Sequence, residues 1–159
     1  MTVPAVGKKV ADFTAASTAG PWRLSEHCGH PVVLYFYPRD NTPGCTTEGA
    51  AFRDLYERFR AAGAEVVGVS RDSMKSHEGF AAKMQFPFPL ISDPDEALCE
   101  RFGVIRMKNM YGRKVRGIER STFLIAGDGT LAREWRGVKV PGHAEAVLAA
   151  VEELRAGAA

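Results

Sequence analysis

The chain has 159 residues, of which 45% are hydrophobic and 25% charged, and its formal net charge is +2. This length predicts a single domain over residues 1–159, with enough apolar surface for a substantial core. The small net charge argues against nucleic acid or an anionic membrane as a general partner, and no apolar run has the length of a membrane span. The amino terminus lacks the apolar core of a signal peptide, so we expect a cytoplasmic protein.

Three cysteines occur, Cys28, Cys45 and Cys99, and none belongs to a Cys-x-x-Cys pair. An odd number of cysteines without a close pair argues against a disulfide scaffold of the secreted kind. The absent pair also leaves a thioredoxin-type dithiol and the usual structural zinc spacings without support. A cysteine in a special setting is therefore predicted to be reactive.

The histidines do not indicate a metal centre. His27, Cys28 and His30 offer three ligands within four residues, but such a cluster rarely converges on a metal without a regular element and a fourth ligand. His77 and His143 have no identifiable partner in the sequence, and we interpret them as surface or helix-start residues. We therefore predict no metal site.

The first predicted element is a central strand, because "PVVLYFY" (31–37) is a continuous apolar and β-branched run bounded by prolines. From Cys45 the period changes, and apolar side chains recur at helical spacing. Gly63 is a stop signal for this helix. The next elements are predicted in the order strand, helix, strand, over residues 64–70, 73–84 and 88–93.

The second half of the chain predicts a helix, a hairpin and a closing helix. Asp93 and Pro94 are expected to open the helix "PDEALCERF", as its cap and its first residue. The basic stretch 106–120 is interpreted as a solvated loop. Gly-Asp-Gly between two strand patterns in 121–135 predicts a β-hairpin, and "HAEAVLAAVEELRA" an amphipathic helix. Crossover strands and a hairpin together predict an α/β fold of thioredoxin-like order, with a mixed central sheet flanked by helices.

The stretch "YFYPRDNTPGCTTE" (35–48) places Cys45 at the first turn of a predicted helix. The N–H groups of that turn lack internal partners, and the helix dipole adds partial positive charge there. A thiolate at this position is stabilised relative to the thiol. Pro38 ends the strand, and Thr42 stands three residues before the cysteine, so its hydroxyl is expected beside the sulfur. Free amides and a hydroxyl around the sulfur predict a pocket for a small oxygen-bearing substrate.

Pro38, Thr42 and Cys45 form a PxxxTxxC motif that resembles the active-site signature of the peroxiredoxins. The longer string is similar to the Q-type branch, the bacterioferritin comigratory proteins, and the resemblance extends to "NMYGRKVRGIERSTFLI" (109–125) and the final helix. It implies an antioxidant thiol peroxidase that acts on hydrogen peroxide and organic hydroperoxides without a metal or an organic cofactor. It also implies a monomer and a thiol reductant such as thioredoxin, glutaredoxin or glutathione.

The same resemblance assigns roles to five residues. Cys45 is implied to be the peroxidatic cysteine, which attacks one peroxide oxygen and becomes a sulfenic acid. Thr42 and the Cys45 amide are implied to hydrogen-bond the peroxide, in a loop whose direction Pro38 sets. Arg120 would place its guanidinium beside the sulfur and stabilise charge on the departing oxygen, and Glu48 would orient this arginine.

The second cysteine of many Q-type relatives is absent from its two usual positions. Ala50 stands five residues after Cys45, and Ala81 and Ala82 follow Phe80 in the next predicted helix. An engineered cysteine-to-alanine change would look the same. We therefore expect a one-cysteine mechanism in which an external thiol reduces the sulfenic acid.

Two alternatives remain open at this point. The first is an atypical two-cysteine peroxidase that resolves through Cys99 or Cys28, which requires a Cα within about 7 Å of that of Cys45. Cys99 lies on the predicted buried face of its helix, as a core filler would, and Cys28 lies in the loop before the central strand. The second alternative is a non-enzymatic redox-sensing or binding module, in which oxidation of Cys45 alters a contact with a partner.

Overall fold

The structure, a computed structural model, describes residues 3–157. The first half contains two short strands, a 3-10 helix over Leu24–His27, and then an alternation of strands and helices. The second half adds four strands and a closing helix. The elements are β1 (Thr14–Ser17), β2 (Gly20–Arg23), β3 (Val32–Phe36), α1 (Pro43–Ala61), β4 (Glu65–Ser70), α2 (Met74–Met84), β5 (Leu90–Ser92), α3 (Ala97–Arg101), β6 (Ile105–Met110), β7 (Arg113–Ile118), β8 (Ser121–Ile125), β9 (Leu131–Arg136) and α4 (His143–Gly157).

Seven of these strands form one sheet in the order β2-β1-β5-β4-β3-β8-β9. Strands β3, β4 and β5 run parallel to one another, whereas β1, β8 and β9 pair antiparallel with their neighbours. The predicted mixed sheet flanked by helices is therefore confirmed. The parallel strands are joined by α1 and α2, as parallel crossovers require.

Strand β3 lies at the centre because it pairs with β4 on one side and β8 on the other, and all five of its residues are buried. Its side chains alternate between the two faces of the sheet. Val33 and Tyr35 point to one core, whereas Val32, Leu34 and Phe36 point to the other. The continuous apolar run in the sequence reflects burial on both faces.

The two cores have different covers. On the face of Tyr35, helices α1, α2 and α4 pack with side chains that include Phe52, Phe80 and Val147. On the opposite face, α3 and the amino-terminal segment contribute Phe102, Phe13 and other residues. Cys45 belongs to the first core. The amino-terminal end of α1 is thus held in the core that α1, α2 and α4 cover.

Several predicted boundaries are confirmed. Pro43 is the first residue of α1 and Thr42 its N-cap residue, so that Cys45 lies in the first turn. Gly63 follows the end of the helix with φ +81°, a left-handed conformation that glycine adopts without a steric penalty. Helix α2 begins after Ser73, whose hydroxyl accepts a hydrogen bond from the amide of Ser76.

The predicted opening of the third helix was wrong. The helix begins at Ala97, and its N-cap position is Glu96, with φ +64°, instead of Asp93. The carboxylate of Asp93 still serves the helix start, because it accepts hydrogen bonds from the amides of Leu98 and Cys99 at 3.1 and 2.8 Å. The aspartate therefore supplies the cap interaction from outside the helix, across a turn.

The basic stretch interpreted as a loop is a two-stranded hairpin, β6–β7. Tyr111 and Gly112 both have positive φ, 53° and 77°, which is the geometry of a two-residue type I′ turn. The strands carry no alternating apolar pattern because most of β7 is exposed. Ion pairs anchor the hairpin to the domain: Arg116 contacts Glu96 and Glu100.

The hairpin β1–β2 was not predicted either, since its four-residue strands contain few of the residues typical of strands. Strand β1 joins the sheet through β5. Within residues 3–157, none of the helices combines the length and the apolar character needed to cross a bilayer.

Close packing over β4 predicts opposite effects for two glycine-to-alanine substitutions. A Cβ at Gly68 would lie 2.7 Å from Leu90 Cδ2 and 3.0 Å from Tyr35 Cζ, whereas a Cβ at Gly79 on α2 would meet nothing within 4 Å. Gly68→Ala should lower the free energy of unfolding by about 1–3 kcal/mol through overpacking. Gly79→Ala should raise it by about 0.5–1 kcal/mol, because alanine is the better helix former.

Urea titration of both variants measures these changes, and Gly79→Ala serves as the matched control. A Gly68→Ala protein as stable as the wild type would contradict the packing described for this strand.

Candidate active site

The first turn of α1 presents Cys45 with free backbone donors around it. The side chain of Thr42, the N-cap residue, makes no capping hydrogen bond, and Pro43 has no N–H. The amide of Thr46 bonds the carbonyl of Thr42 at 2.8 Å, which closes the first turn behind the cysteine. The thiol of Cys45 therefore lies at the positive end of a 19-residue helix.

A guanidinium lies directly beside the thiol. Arg120 Nη2 is 3.5 Å from Cys45 Sγ, and Arg120 Nη1 is 2.5 Å from Glu48 Oε1. A Cβ at Gly44 would lie 3.1 Å from Arg120 Nη2, so the glycine before the cysteine gives the guanidinium room to approach. The predicted grouping of Cys45, Arg120 and Glu48 is what the structure brings together.

The sheet explains how residues 75 positions apart meet. Ser121, the first residue of β8, pairs with Phe36, the last residue of β3. Because β3 leads into the loop before α1, the start of β8 and the start of α1 lie at the same edge of the sheet. The carbonyl of Arg120 also accepts a hydrogen bond from Val138 at 2.9 Å, which fixes the backbone beside the thiol.

Burial governs the electrostatics of this group. Cys45 and Glu48 are 2% and 1% exposed. Burial raises the pKa of Glu48 from 4.5 to about 7, and the neighbouring charge and hydrogen bond of Arg120 offset part of that rise. The guanidinium thus lies between two buried groups that can each carry negative charge.

The structure places Thr42 and Pro38 in the loop between β3 and α1. Pro38 is half-buried and follows Tyr37, whose amide bonds Val69 at the end of β4. The hydroxyl of Thr42 donates to the carbonyl of Arg39 at 2.8 Å. Its hydrogen is therefore engaged by the loop, and its lone pairs remain able to accept a hydrogen bond from a substrate.

Sequence reasoning missed two groups near the site. Lys108 on β6 donates from Nζ to the carbonyl of Ile118 at 2.5 Å, and burial, followed by the charge of Arg120, lowers its pKa. His143 was interpreted as a surface or helix-start residue; it does open α4, but it is 6% exposed, with Nε2 2.7 Å from Thr122 Oγ1. Burial lowers the pKa of His143 to about 4. Neither position has a local sequence signal. The Lys108 contact depends on the pairing of β6 with β7, and the His143 contact depends on the packing of α4 against β8.

The other two cysteines lie far from this arrangement in the fold. Cys99 is fully buried in the core on the opposite face of the sheet from Cys45, and burial, with the Asp93 carboxylate, raises the pKa of its thiol. Cys28 is exposed and precedes β3, whose five residues span about 16 Å. The amide of Gly29 bonds Gly127 beyond the far end of β8, which holds Cys28 at the opposite edge of the sheet from Arg120.

The buried carboxyl of Glu48 predicts a pH-dependent stability. The folded state keeps the proton up to about pH 7, whereas the unfolded chain releases it near 4.5. The folded state therefore binds more protons in this window, and the contribution of Glu48 to stability falls as pH rises from about 4.5 to 7. The free energy of unfolding of the wild type, minus that of Glu48→Gln, should decrease over this range.

The difference between the two proteins isolates Glu48, because His143, whose lowered pKa acts in the opposite direction, is common to both. Glu96→Gln is the matched control, because hydrogen bonds from Arg116 and Arg71 lower the pKa of Glu96. The free energy of unfolding of the wild type, minus that of Glu96→Gln, should therefore not change with pH between about 4.5 and 7. Urea titrations at several pH values measure both. If the free energy of unfolding of the wild type, minus that of Glu48→Gln, also stays constant with pH, the predicted rise in the pKa of Glu48 would be contradicted.

The chain is similar to known proteins over most of its length. Residues 6–134 match the AhpC/TSA family. Peroxiredoxin Bcp of Xanthomonas campestris is 60% identical over 129 residues, which cover 81% of each chain. Peroxiredoxin Bcp of Bacillus subtilis is 43% identical over 150 residues, covering 94% of this chain and 96% of the other.

Solved structures show the same fold. Xanthomonas campestris peroxiredoxin Q superposes with a TM-score of 0.85 at 55% identity and covers 90% of this chain and 91% of its own. A cysteine-to-serine variant of Xylella fastidiosa PrxQ gives a TM-score of 0.90 at 45% identity over the full length of both chains. The predicted thioredoxin-like fold is thereby confirmed. The chain belongs to the AhpC/TSA family and, within it, to the peroxiredoxin Q or Bcp branch.

Proposed function

We propose that this protein is a thiol peroxidase whose reactive group is Cys45, with Thr42, Arg120, Pro38 and Glu48 completing the catalytic site. The observation that carries the proposal is the position of Cys45 Sγ, at the amino-terminal turn of α1 and 3.5 Å from the guanidinium of Arg120. The helix dipole and the guanidinium both place positive charge beside the sulfur. A buried structural cysteine would need neither.

The reaction balances without a metal or an organic cofactor. The thiolate of Cys45 attacks one oxygen of the hydroperoxide, so that an S–O bond forms while the O–O bond breaks. The departing oxygen leaves as an alcohol, or as water from hydrogen peroxide, after taking a proton. Sulfur is oxidised by two electrons to the sulfenic acid, and the peroxide is reduced by the same two.

The surrounding groups match the charge that develops in this step. Arg120 Nη2 lies where it can donate to the oxygens as negative charge passes from sulfur to the departing atom. The free N–H of Cys45 in the first helical turn is a second donor. Thr42, whose hydrogen is engaged by Arg39, accepts the hydrogen of the hydroperoxide. Glu48 holds the guanidinium in place from the side away from sulfur.

The positions of the remaining thiols support a one-cysteine cycle. Cys99 lies across the sheet and Cys28 at its opposite edge, whereas a disulfide requires Cα atoms within about 7 Å. Cysteine-to-serine variants of Xanthomonas campestris peroxiredoxin Q were made at two positions 36 residues apart. The residue 36 positions after Cys45 is Ala81, which supports a cycle without a second thiol at that spacing.

An external thiol then completes the cycle. Its thiolate attacks the sulfenic sulfur of Cys45, water leaves, and a mixed disulfide forms. A second thiol, from the same reductant or another molecule, releases reduced Cys45 and carries away the disulfide. A dithiol protein such as thioredoxin or glutaredoxin, or glutathione, has the required chemistry.

The proposed setting is a monomeric, single-domain protein of the cytoplasm that acts on hydrogen peroxide and organic hydroperoxides. Three free cysteines suit a reducing compartment. Two of the exposed large apolar residues, Met107 and Val115, lie on opposite faces of the β6–β7 hairpin, so they do not form one patch for self-association. A structure of Xanthomonas campestris bacterioferritin comigratory protein addresses alkyl peroxide reduction, which supports the organic substrates.

Intact mass after oxidation tests the one-cysteine cycle. Fully reduced protein treated with one equivalent of hydrogen peroxide should promptly gain one oxygen atom on Cys45, because no second thiol is within reach. Peptide mapping locates the modification. Loss of two hydrogens would mean an internal disulfide and would overturn the one-cysteine cycle, and an unchanged mass would overturn the peroxidase itself.

Substitutions at the site test the roles. Cys45→Ser should abolish peroxide consumption with a small-thiol donor. Arg120→Lys should lower the rate of Cys45 oxidation by about 10²–10³-fold, because a lysine cannot donate to sulfur and contact Glu48 in one plane. Arg58→Lys, at an exposed arginine paired with Glu152, is the matched control and should react like the wild type. Equal rates for the two lysine variants would contradict the role of Arg120.

A further inference from the structure

A second buried polar cluster lies under the loop that carries Thr42. The side chain of Asp40, 1% exposed, accepts hydrogen bonds at Oδ1 from the hydroxyl of Tyr37 at 2.7 Å and at Oδ2 from that of Ser76 at 2.8 Å. His77 Nδ1 lies 2.8 Å from the same Oδ2. His77, interpreted from the sequence as a surface or helix-start residue, is completely buried.

Hydrogen bonds hold both side chains of this contact in place. His77 Nε2 lies 2.9 Å from the carbonyl oxygen of Ile91, which can only accept, so Nε2 carries a hydrogen. Asp40 Oδ2 therefore shares one hydrogen bond with His77 Nδ1 and accepts another from the Ser76 hydroxyl. Burial alone would raise the pKa of Asp40, but the hydrogen bonds from His77 and Tyr37 outweigh it and lower that pKa.

The backbone of Asp40 is anchored as well. Its amide donates to Asp72 Oδ2 at 3.0 Å, and the hydroxyl of Ser70 donates to the same oxygen at 2.6 Å. Within residues 3–157, the one group of three metal-ligand side chains with atoms within 4.8 Å of one another is Asp40, Asp72 and His77. Their facing atoms already bond protein groups, so the cluster is an anchor between the loop, the end of β4 and α2.

This anchor lies between the two backbone features that aim Thr42. The residue before Asp40 is Arg39, whose carbonyl accepts the Thr42 hydroxyl. The residue after it is Asn41, with φ +62°, a left-handed conformation that persists where the surroundings hold it in place. Without the contacts of Asp40, the carbonyl of Arg39 and the turn at Asn41 would be free to move. The Thr42 hydroxyl would then move with them.

We propose that Asp40 and His77 are positioning residues, whose buried hydrogen bond holds the loop 37–42 against α2 and thereby fixes the Thr42 hydroxyl that receives the peroxide. The inference rests on the proposed peroxidase function. It extends the site from the residues that face the substrate to a helix that does not touch the sulfur.

The decisive comparison uses two reagents that both react with Cys45. Hydrogen peroxide needs the Thr42 hydroxyl, whereas iodoacetamide needs only the thiolate. His77→Gln should slow oxidation of Cys45 by about tenfold, since small displacements of a positioning group cost this much or more, and should change alkylation by less than about twofold. Stopped-flow rates and mass spectrometry of the Cys45 peptide measure the two reactions.

Ser73→Ala is the matched control, because it removes the cap of α2 without touching Asp40 and should leave both reactions unchanged. Ser76→Ala and Tyr37→Phe each delete one hydrogen bond to Asp40 and should slow oxidation to a smaller extent, again without an effect on alkylation. These milder variants decide the question if His77→Gln fails to fold.

A double-mutant cycle tests the route through Thr42. In a Thr42→Val background, His77→Gln should cause no further loss of the oxidation rate, because the group it positions is already absent. A further loss of about tenfold in the oxidation rate of the double variant would show that His77 does not act through Thr42.

Two further outcomes would overturn the inference. One is a folded His77→Gln protein that reacts with peroxide at the wild-type rate, and the other is an equal fall in oxidation and alkylation, which would place the effect on the sulfur itself. The wild-type rate separates this failure from failure of the proposed function. If wild-type Cys45 reacts with peroxide no faster than a free thiol, the peroxidase proposal fails before any variant is compared.

Discussion

The contact between Arg120 and Cys45 is the interaction on which the proposed chemistry depends, and it exists only because strands β3 and β8 lie side by side. A guanidinium 3.5 Å from the sulfur places positive charge where, in the proposed reaction, negative charge passes from sulfur to the peroxide oxygens. Its second nitrogen is held by Glu48, which is buried and bears a raised pKa. The arginine therefore keeps its orientation through a carboxyl group that the core prevents from turning to water.

Burial has two effects around this contact. It removes competing water, which strengthens each charge–charge interaction, and it makes every unpaired polar group costly. Asp40 and His77 meet that cost by pairing with each other and with Tyr37, Ser76 and the carbonyl of Ile91. The loop before α1 is thus tied to the domain by buried hydrogen bonds. A short loop with one left-handed residue can be both open to a ligand and fixed in shape because its anchor is buried.

The separation of the three thiols follows from the same architecture. The sheet has a core on each face, and Cys45 lies in one core and Cys99 in the other. The sheet therefore separates the two thiols. Cys28 is separated from Cys45 by the length of the central strand. In the proposed cycle, the second thiol therefore comes from another molecule. The topology of the sheet, which keeps the three thiols apart, is the structural basis of the proposed one-cysteine cycle.

The sequence by itself determined the elements with strong periodicity and the residues within one motif. The strand 31–37, the helix that begins near Cys45 and the hairpin in 121–135 were predictable because their burial pattern is local, and the resemblance to peroxiredoxins named Pro38, Thr42, Glu48 and Arg120. Only the tertiary structure decided that β6–β7 is a hairpin, that α3 begins at Ala97 and that His77 is buried against Asp40. These features depend on contacts between residues distant in the chain, such as the 37 positions between His77 and Asp40, and no local pattern of hydrophobicity records which distant partner a polar side chain will meet.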